Sequence, residues 1–470
     1  MDAGIASREA FALAPSRRAR ARWRLGGLAR ARLKRLSVRA AWWGLLGLYL
    51  GVRLYHLDQA PPHHATADEY AWTWSGMTLI QNHWPEAWSQ LAAYKHVRRN
   101  REWRGHGYRM VKPWLDHPPA YSLYAGACML AWGHKDIFDV DLWQMRTGTL
   151  LLDVITFVLL TLVLRRLVSS SEVLIALLLY AVAPAIVLQQ RLVVSENLFV
   201  PTTLAVVLLT LQQRTRFSMW RTVFVFLLCA LLPMTKVAAL SASVFLLLWA
   251  LVSLQLRERW IVAGAVAIGT CLGIGAFLWY GRHIDAAMFE AVMTNHRDRF
   301  RGFAGMEILL FEPKIISHLV RNPLFVLGCA LSLASLWTRR VAPWGLAVLA
   351  YTACMAFFVD QERVYGWYFL PLYPWLCTAL AVAIVHASRF RVLGLSLLWC
   401  SVAWLTIADV TYTRALVSID VVRFGYLGGL LALYGVWAAW PRFARLTMPL
   451  VNGLLVAGVA VAFLYDVYLR

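Results

Sequence analysis

The chain has 470 residues, 60% of them hydrophobic and 23 of them tryptophan, with a mean hydropathy of +0.57. Such a chain cannot leave most of its surface in water, which excludes a soluble globular enzyme and leads us to expect a polytopic integral protein of the cell membrane. Lys and Arg outnumber Asp and Glu by 46 to 25, a formal net charge of +21. In a soluble chain this excess would suggest nucleic acid; here it is largely topological, and no nucleic-acid partner is expected. The seven cysteines (Cys128, Cys229, Cys271, Cys329, Cys354, Cys377, Cys400) lie in apolar runs without a Cys-x-x-Cys, so they form neither a disulfide framework nor a metal knuckle.

The first element is a basic arm, residues 1–40, with Arg17, Arg18, Arg20, Arg22, Arg24, Arg30, Arg32, Lys34, Arg35 and Arg39 directly before the apolar run 41–55. The positive-inside rule keeps the arm cytoplasmic and sends the first helix outward. The basic region is too long for a cleaved signal peptide and no small-x-small site follows, so an uncleaved anchor is expected. Residues 41–470 then form one transmembrane domain. About 20 apolar residues cross ~30 Å of hydrocarbon. On that ruler further spans are predicted near 146–164, 172–190, 198–213, 220–235, 237–256, 260–280, 322–338, 342–359, 367–387, 392–408, 424–440 and 447–465, about thirteen with the first, in an all-α bundle. Residues 222–256 would reach ~52 Å as one helix, so two spans joined by a tight hairpin near Pro233-Met234-Thr235-Lys236 are predicted.

The run 118–132 is short and opens on two prolines, and it is predicted to lie as a helix at the outer interface instead of spanning. With it left out, every cytoplasmic turn holds at least two arginines: Arg165 and Arg166; Arg214, Arg216 and Arg221; Arg257 and Arg259; Arg339 and Arg340; Arg389 and Arg391; Arg442 and Arg445. Two long outer loops follow, about 58–145 and 281–321. The first is itself basic, which long loops tolerate. In the second, Phe289, Met293, His296, Phe300 and Phe303 among Arg297, Arg299 and Arg301 have the spacing of an amphipathic surface helix, for membrane docking or for gating a lipid site.

Chemistry-capable groups gather on this outer side. Thr66-Ala67-Asp68-Glu69 reads as a capping box, with Thr66 capping a helix and Glu69 reaching back, or as a catalytic acid pair. Asp68 is not needed by the box, and a carboxylate at a helix N-terminus stays ionised, which suits a general base. In Lys112-Pro113-Trp114-Leu115-Asp116-His117-Pro118-Pro119, Asp116 can cap a helix opened by proline. Lys112 and His117 suit either a lipid phosphate or headgroup snorkelling. Glu196 reads as an ion-pair partner of Arg191 or as a functional acid. Lys236, in the break between two spans, reads as a snorkelling cation or an anion contact. In Asp360 to Pro374, Trp and Tyr residues including Tyr365 suit an aromatic belt, and Arg363 is the candidate for a further role.

These residues, in this order, resemble the GT-C superfamily of polyprenyl-phosphate-dependent glycosyltransferases. The likeness is strongest to the protein O-mannosyltransferase and lipid A aminoarabinose transferase branch, glycosyltransferase family 39. It rests on the Asp68-Glu69 pair after the first span, His117-Pro118-Pro119 opening an interfacial helix, Glu196 after the third span, Lys236 between the fifth and sixth, and Arg363-x-Tyr365-x-x-x-Phe369-Leu370-Pro371-Leu372-Tyr373-Pro374. The resemblance implies that Asp68 is catalytic and carries the later acidic position onto Glu196 and the Lys or His before proline onto His117. Glu196-Asn197 stands where the aminoarabinose transferases have Asp-Pro, and no sizeable C-terminal soluble domain is expected.

An outer-face enzyme has no nucleotide sugar or ATP at hand, so its donor is expected to arrive as a polyprenyl-phosphate-linked hexose or pentose. The acceptor would be a glycan, lipid or protein, in contact with membrane lipid. Inverting displacement would use Asp68 as base, with Glu69 and Glu196 as further acids and Lys112, Asp116, His117, Lys236, Arg363 and Tyr365 around the substrate. A divalent cation bridging Asp68 or Glu196 to the phosphate is compatible with these carboxylates, though no dedicated ligand set identifies one. The competing class is a secondary transporter or lipid-linked sugar flippase, which would place charges near the midplane on broken, repeated helices.

Overall fold

The structure, a computed structural model, describes residues 40–62, 66–297, 323–337, 342–358, 365–390, 424–425 and 428–443. The chain divides into two units, 1–48 and 49–470. The described residues of the first, 40–48, are helical, within helix Ala40–Leu54 (α1). Everything that follows belongs to the second unit.

Helix α2 (Asp68–Asn82) starts with both acids in its first turn, where the helix dipole favours them, and stops at a left-handed His83 whose N–H returns to the Leu79 carbonyl. A small antiparallel sheet follows, built from β1 (Ala87–Trp88), β2 (Arg99–Trp103) and β3 (His106–Val111) in the order β1-β3-β2. It corrects the all-α expectation. Strands β2 and β3 pair from Arg99 with Met110 to Trp103 with His106, closed by Arg104-Gly105, both at positive φ as a two-residue hairpin needs. Tyr108 and Met110 alternate inward. They join Tyr70 and Trp74 of α2, with the Trp103 ring edge-on to Tyr70 at 4.9 Å and its Nε1 donating to the Phe138 carbonyl at 2.7 Å.

Pro118 and Pro119 open α3 (Pro119–Ala131), where fixed φ and missing N–H groups cost nothing. Its 13 residues reach only about 20 Å at roughly 1.5 Å per residue, short of ~30 Å of hydrocarbon. It packs on α2 backbone to backbone. A Cβ on Gly76 would lie 1.6 Å from the Ser122 carbonyl oxygen, and one on Gly126 2.2 Å from the Gly76 carbonyl carbon.

Apolar helices follow: α4 (Leu142–Leu167), α5 (Ser170–Val182), α6 (Pro184–Arg191), α7 (Glu196–Gln213), α8 (Met219–Thr235), α9 (Leu240–Ser253), α10 (Leu256–Arg297), α11 (Pro323–Ala334), α12 (Pro343–Phe358), α13 (Tyr373–Phe390) and α14 (Gly428–Ala439). Among the described residues α4 and α10 are long and apolar enough to cross a membrane alone, and α5 with α6 makes a third if that pair is one span. The predicted span 172–190 is bent by 60° between α5 and α6, where Pro184 cannot continue the hydrogen-bond ladder. The predicted break at Lys236 is present: α8 ends at Thr235 and Lys236 is extended. The predicted loop 281–321 begins as helix, because α10 continues to Arg297 across a non-helical Asp285. Phe289 and Val292 of that segment are buried against protein. Predicted spans 392–408 and 447–465, the arm 1–39, and Arg299, Phe300, Arg301 and Phe303 lie outside the described residues.

Candidate active site

The acid pair divides its labour. Glu69 is fully buried and forks onto Arg146 of α4, whose Nε and Nη2 donate to its two oxygens at 3.0 and 2.9 Å. Glu69 Oε1 also accepts the Val193 amide at 3.1 Å, and Arg146 Nη1 donates to the Leu57 carbonyl at 2.7 Å. One carboxylate thus ties α2 to α4 and to the turn before α7, and Arg146 carries the link on to Leu57, just past the end of α1. The capping box is therefore not formed. Thr66 Oγ1 does accept the Asp68 amide at 3.2 Å, but Glu69, committed to a guanidinium, does not reach back. Asp68 sits half-buried in the first turn of α2, beside this clamp.

Glu196 opens α7 and meets Lys236 from the α8–α9 break, with Nζ 2.6 Å from Oε1 and both residues buried. Ser195 Oγ donates to its other oxygen at 3.2 Å. The Lys236 ammonium also lies 4.2 Å from the centre of the Tyr368 ring, a cation–π contact. Arg191 is not the partner of Glu196. Its guanidinium donates to the carbonyls of Val52, in the last turn of α1, and of Tyr55 and Ala60 just past it, a cation at a helix C-terminus, where the dipole favours positive charge. Asn197 Nδ2 donates to the carbonyls of Gln190 and Leu192, bracing the same turn.

The third group is the element 115–117. Asp116 does not cap α3: its Oδ2 accepts Ser89 Oγ at 2.7 Å, and Pro118 holds the cap position. The Tyr94 hydroxyl is held neutral, first by burial and then by the Asp116 carboxylate beside it, while its oxygen accepts the Leu115 amide at 2.8 Å. The His117 ring stacks flat on Trp72 of α2 at 4.7 Å and stands 6.1 Å from His296. Tyr121, in the first turn of α3, is fully buried with no hydrogen-bond partner for its hydroxyl. Burial lifts that hydroxyl well above its ordinary range, and the Glu69 and Glu196 carboxylates push the same way. It sits within electrostatic reach of both acids.

Glu69, Glu196 and Lys236 thus converge through the 193–196 turn, and His117 joins them through α2. Lys112 stands apart, half-exposed and 3.9 Å from Glu86. Tyr365 stacks on Trp367 at 4.5 Å and meets the Tyr368 ring at 5.9 Å, so its segment borders Lys236. Arg363 lies outside the described residues. Among the described residues no three His, Cys, Asp or Glu side chains gather closely enough to hold a metal ion.

Sequence reasoning missed Arg146, Tyr94, Ser89 and Tyr121 as parts of this region, and read His296 only as part of an amphipathic surface helix for membrane docking or gating of a lipid site. It also missed a buried pair behind it, Arg53 with Asp153 at 3.6 Å, in which Arg53 also donates to the Ala181 carbonyl at 3.1 Å and bonds Gln190. Arg53, Arg146 and Asp153 all stand inside or at the edge of apolar runs, a signal that an ionisable residue has a partner.

Residues 116–279 match the family model described as dolichyl-phosphate-mannose-protein mannosyltransferase, a stretch that holds Asp116, His117, Glu196 and Lys236. No curated protein sequence matches the chain. Among solved structures, ArnT from Cupriavidus metallidurans bound to undecaprenyl phosphate superposes with a TM-score of 0.54 at 13% identity, covering 92% of this chain and 76% of that one. The apo state of the same protein gives 0.54, with 93% and 77% covered. The archaeal oligosaccharyltransferase AglB from Archaeoglobus fulgidus, in complex with an inhibitory peptide and a dolichol-phosphate, gives 0.44 at 11% identity, covering 91% and 56%. The resemblance read from the sequence points the same way: the chain shares its fold with ArnT, and residues 116–279 match the mannosyltransferase family model.

Proposed function

We propose that the chain is a membrane glycosyltransferase that moves a sugar from a polyprenyl-phosphate donor to an acceptor on the outer face of the plasma membrane. The observation that carries this is the buried meeting of Glu196 and Lys236 beside the 193–196 turn that Glu69 holds. Burying an ammonium and two carboxylates costs free energy that apolar side chains would avoid, so their presence supports a site built for a charged ligand. The shared fold with ArnT, which was solved bound to undecaprenyl phosphate, supports a lipid phosphate as that ligand.

In this reading the Asp68 carboxylate takes the proton of an acceptor hydroxyl, and the acceptor oxygen attacks the anomeric carbon as the carbon–oxygen bond to the phosphate breaks. The bonding electrons leave on the polyprenyl phosphate and the anomeric configuration inverts. Lys236, His117 and Arg363 receive the developing phosphate charge, a task best done by groups already oriented and dry. Lys236 is held ready by Glu196 and the Tyr368 ring, and the incoming phosphate shares its ammonium with Glu196. Glu69 serves as the brace for Asp68 and Glu196. A phosphate-bearing acceptor would attack through its own oxygen and lean less on the base. The transporter reading fits less well, because the sequence shows no internal repeat of the kind from which such carriers are built.

The test is transfer of a radiolabelled sugar from purified polyprenyl-phosphate donor, by the protein in proteoliposomes, to cell-envelope acceptors. The proposal expects label on the acceptor and free polyprenyl phosphate in equal amount. Label that remains on the lipid but changes leaflet would establish the flippase instead.

A further inference from the structure

The far end of α10 is folded onto the element that carries His117. Asp285 interrupts the helix, and its Oδ1 accepts the Met288 amide at 2.9 Å, so a new helical segment begins there with its own N-cap. Phe289 in that segment packs on Gly281, where an added Cβ would meet its ring at 2.2 Å, and stands edge-on to Phe277 at 5.4 Å. Leu115 completes this buried cluster. About two helical turns later, His296 Nε2 lies 3.1 Å from the backbone carbonyl oxygen of Asp116. A carbonyl only accepts, so Nε2 carries the proton and donates.

His117 is therefore fixed from several sides. Its ring is stacked on Trp72, the Leu115 amide is held by Tyr94, and the Asp116 side chain by Ser89. The peptide joining Asp116 to His117 is held by His296. We propose that His296 is a positioning residue that sets the orientation of the His117 imidazole toward the donor phosphate. The inference rests on the phosphate role proposed above for His117. A preorganised imidazole loses less freedom on binding, so removal of the bond weakens phosphate binding through His117 alone.

The experiment measures binding of polyprenyl phosphate to the full-length protein in nanodiscs, beside Tm, for wild type, His117→Ala, Lys236→Ala, His296→Leu, His296→Gln and the double variant His117→Ala/His296→Leu. His296→Leu should weaken binding about fivefold, the worth of one net hydrogen bond. Gln can place its amide N–H near the lost Nε2 and should restore affinity to within about twofold. The double variant should bind no more weakly than His117→Ala, because His296 acts only through His117. A purely structural role would lower Tm and weaken binding additively in both backgrounds, which overturns the inference. Wild-type affinity in His296→Leu beside a weakened His117→Ala, or loss that Gln does not rescue, overturns it as well. Wild-type affinity in both His117→Ala and Lys236→Ala would instead remove the phosphate reading on which it rests.

Discussion

Substituting Glu69→Gln isolates what the clamp contributes. The Glu69 carboxylate accepts three hydrogen bonds, two from Arg146 and one from the Val193 amide, and neither Glu69 nor Arg146 has any exposed surface. Gln keeps one oxygen for Val193 but turns an N–H toward the guanidinium and removes the compensating charge. Arg146 is then left buried with the Leu57 carbonyl as its remaining acceptor in this group. Removing one member of a buried ion pair costs about 3–5 kcal/mol, which lowers Tm by roughly 3–5 °C in a protein of this size. The assay is thermal unfolding in detergent, read beside sugar transfer. Adding Arg146→Met to the same chain removes the stranded charge and should recover most of the lost stability, since apolar replacement of a buried pair is often neutral. An unchanged Tm in Glu69→Gln, or no recovery in the double variant, would refute the clamp.

Two further predictions follow from packing and topology. Gly76→Ala places a Cβ 1.6 Å from the Ser122 carbonyl oxygen, so α2 and α3 must separate and Tm should fall by several degrees, whereas Gly275→Ala, with nothing within 4 Å, should be neutral or slightly stabilising. Lys135→Cys, on an exposed position beyond α3, should react with a membrane-impermeant thiol reagent in intact cells when the native cysteines are replaced; labelling only after lysis would invert the proposed topology.

What the sequence disclosed was punctuation. Pro118-Pro119 announced the start of α3, and the excess length of 222–256 announced the break that the structure has at Lys236. The GT-C likeness was carried by the order of Asp68, His117, Glu196 and Lys236 along the chain. Pairings were harder to read, because a charge can be satisfied by any partner the fold brings near. Glu196 has Arg191 close in sequence and takes Lys236 from the break between α8 and α9, while Arg191 spends itself on carbonyls at the end of α1, groups that every helix end offers. The sheet was missed because a ruler of about 20 apolar residues passes over a charged ribbon. Its signal was present all the same in Arg104-Gly105 between Trp103 and the alternating Tyr108 and Met110. The Thr66 to Glu69 spacing fits a capping box by pattern, but pattern does not see a buried guanidinium 77 residues away that binds the glutamate more strongly.

The central claim is that Asp68 is the base of a sugar transfer, and the measurement closest to it is turnover of Asp68→Asn with purified polyprenyl-phosphate donor, taken beside Tm. Asn keeps the size and a hydrogen-bonding oxygen yet cannot take a proton, so turnover should fall by ~10²–10⁴ with Tm unchanged. An Asp68→Asn protein that transfers sugar at the wild-type rate would contradict the account.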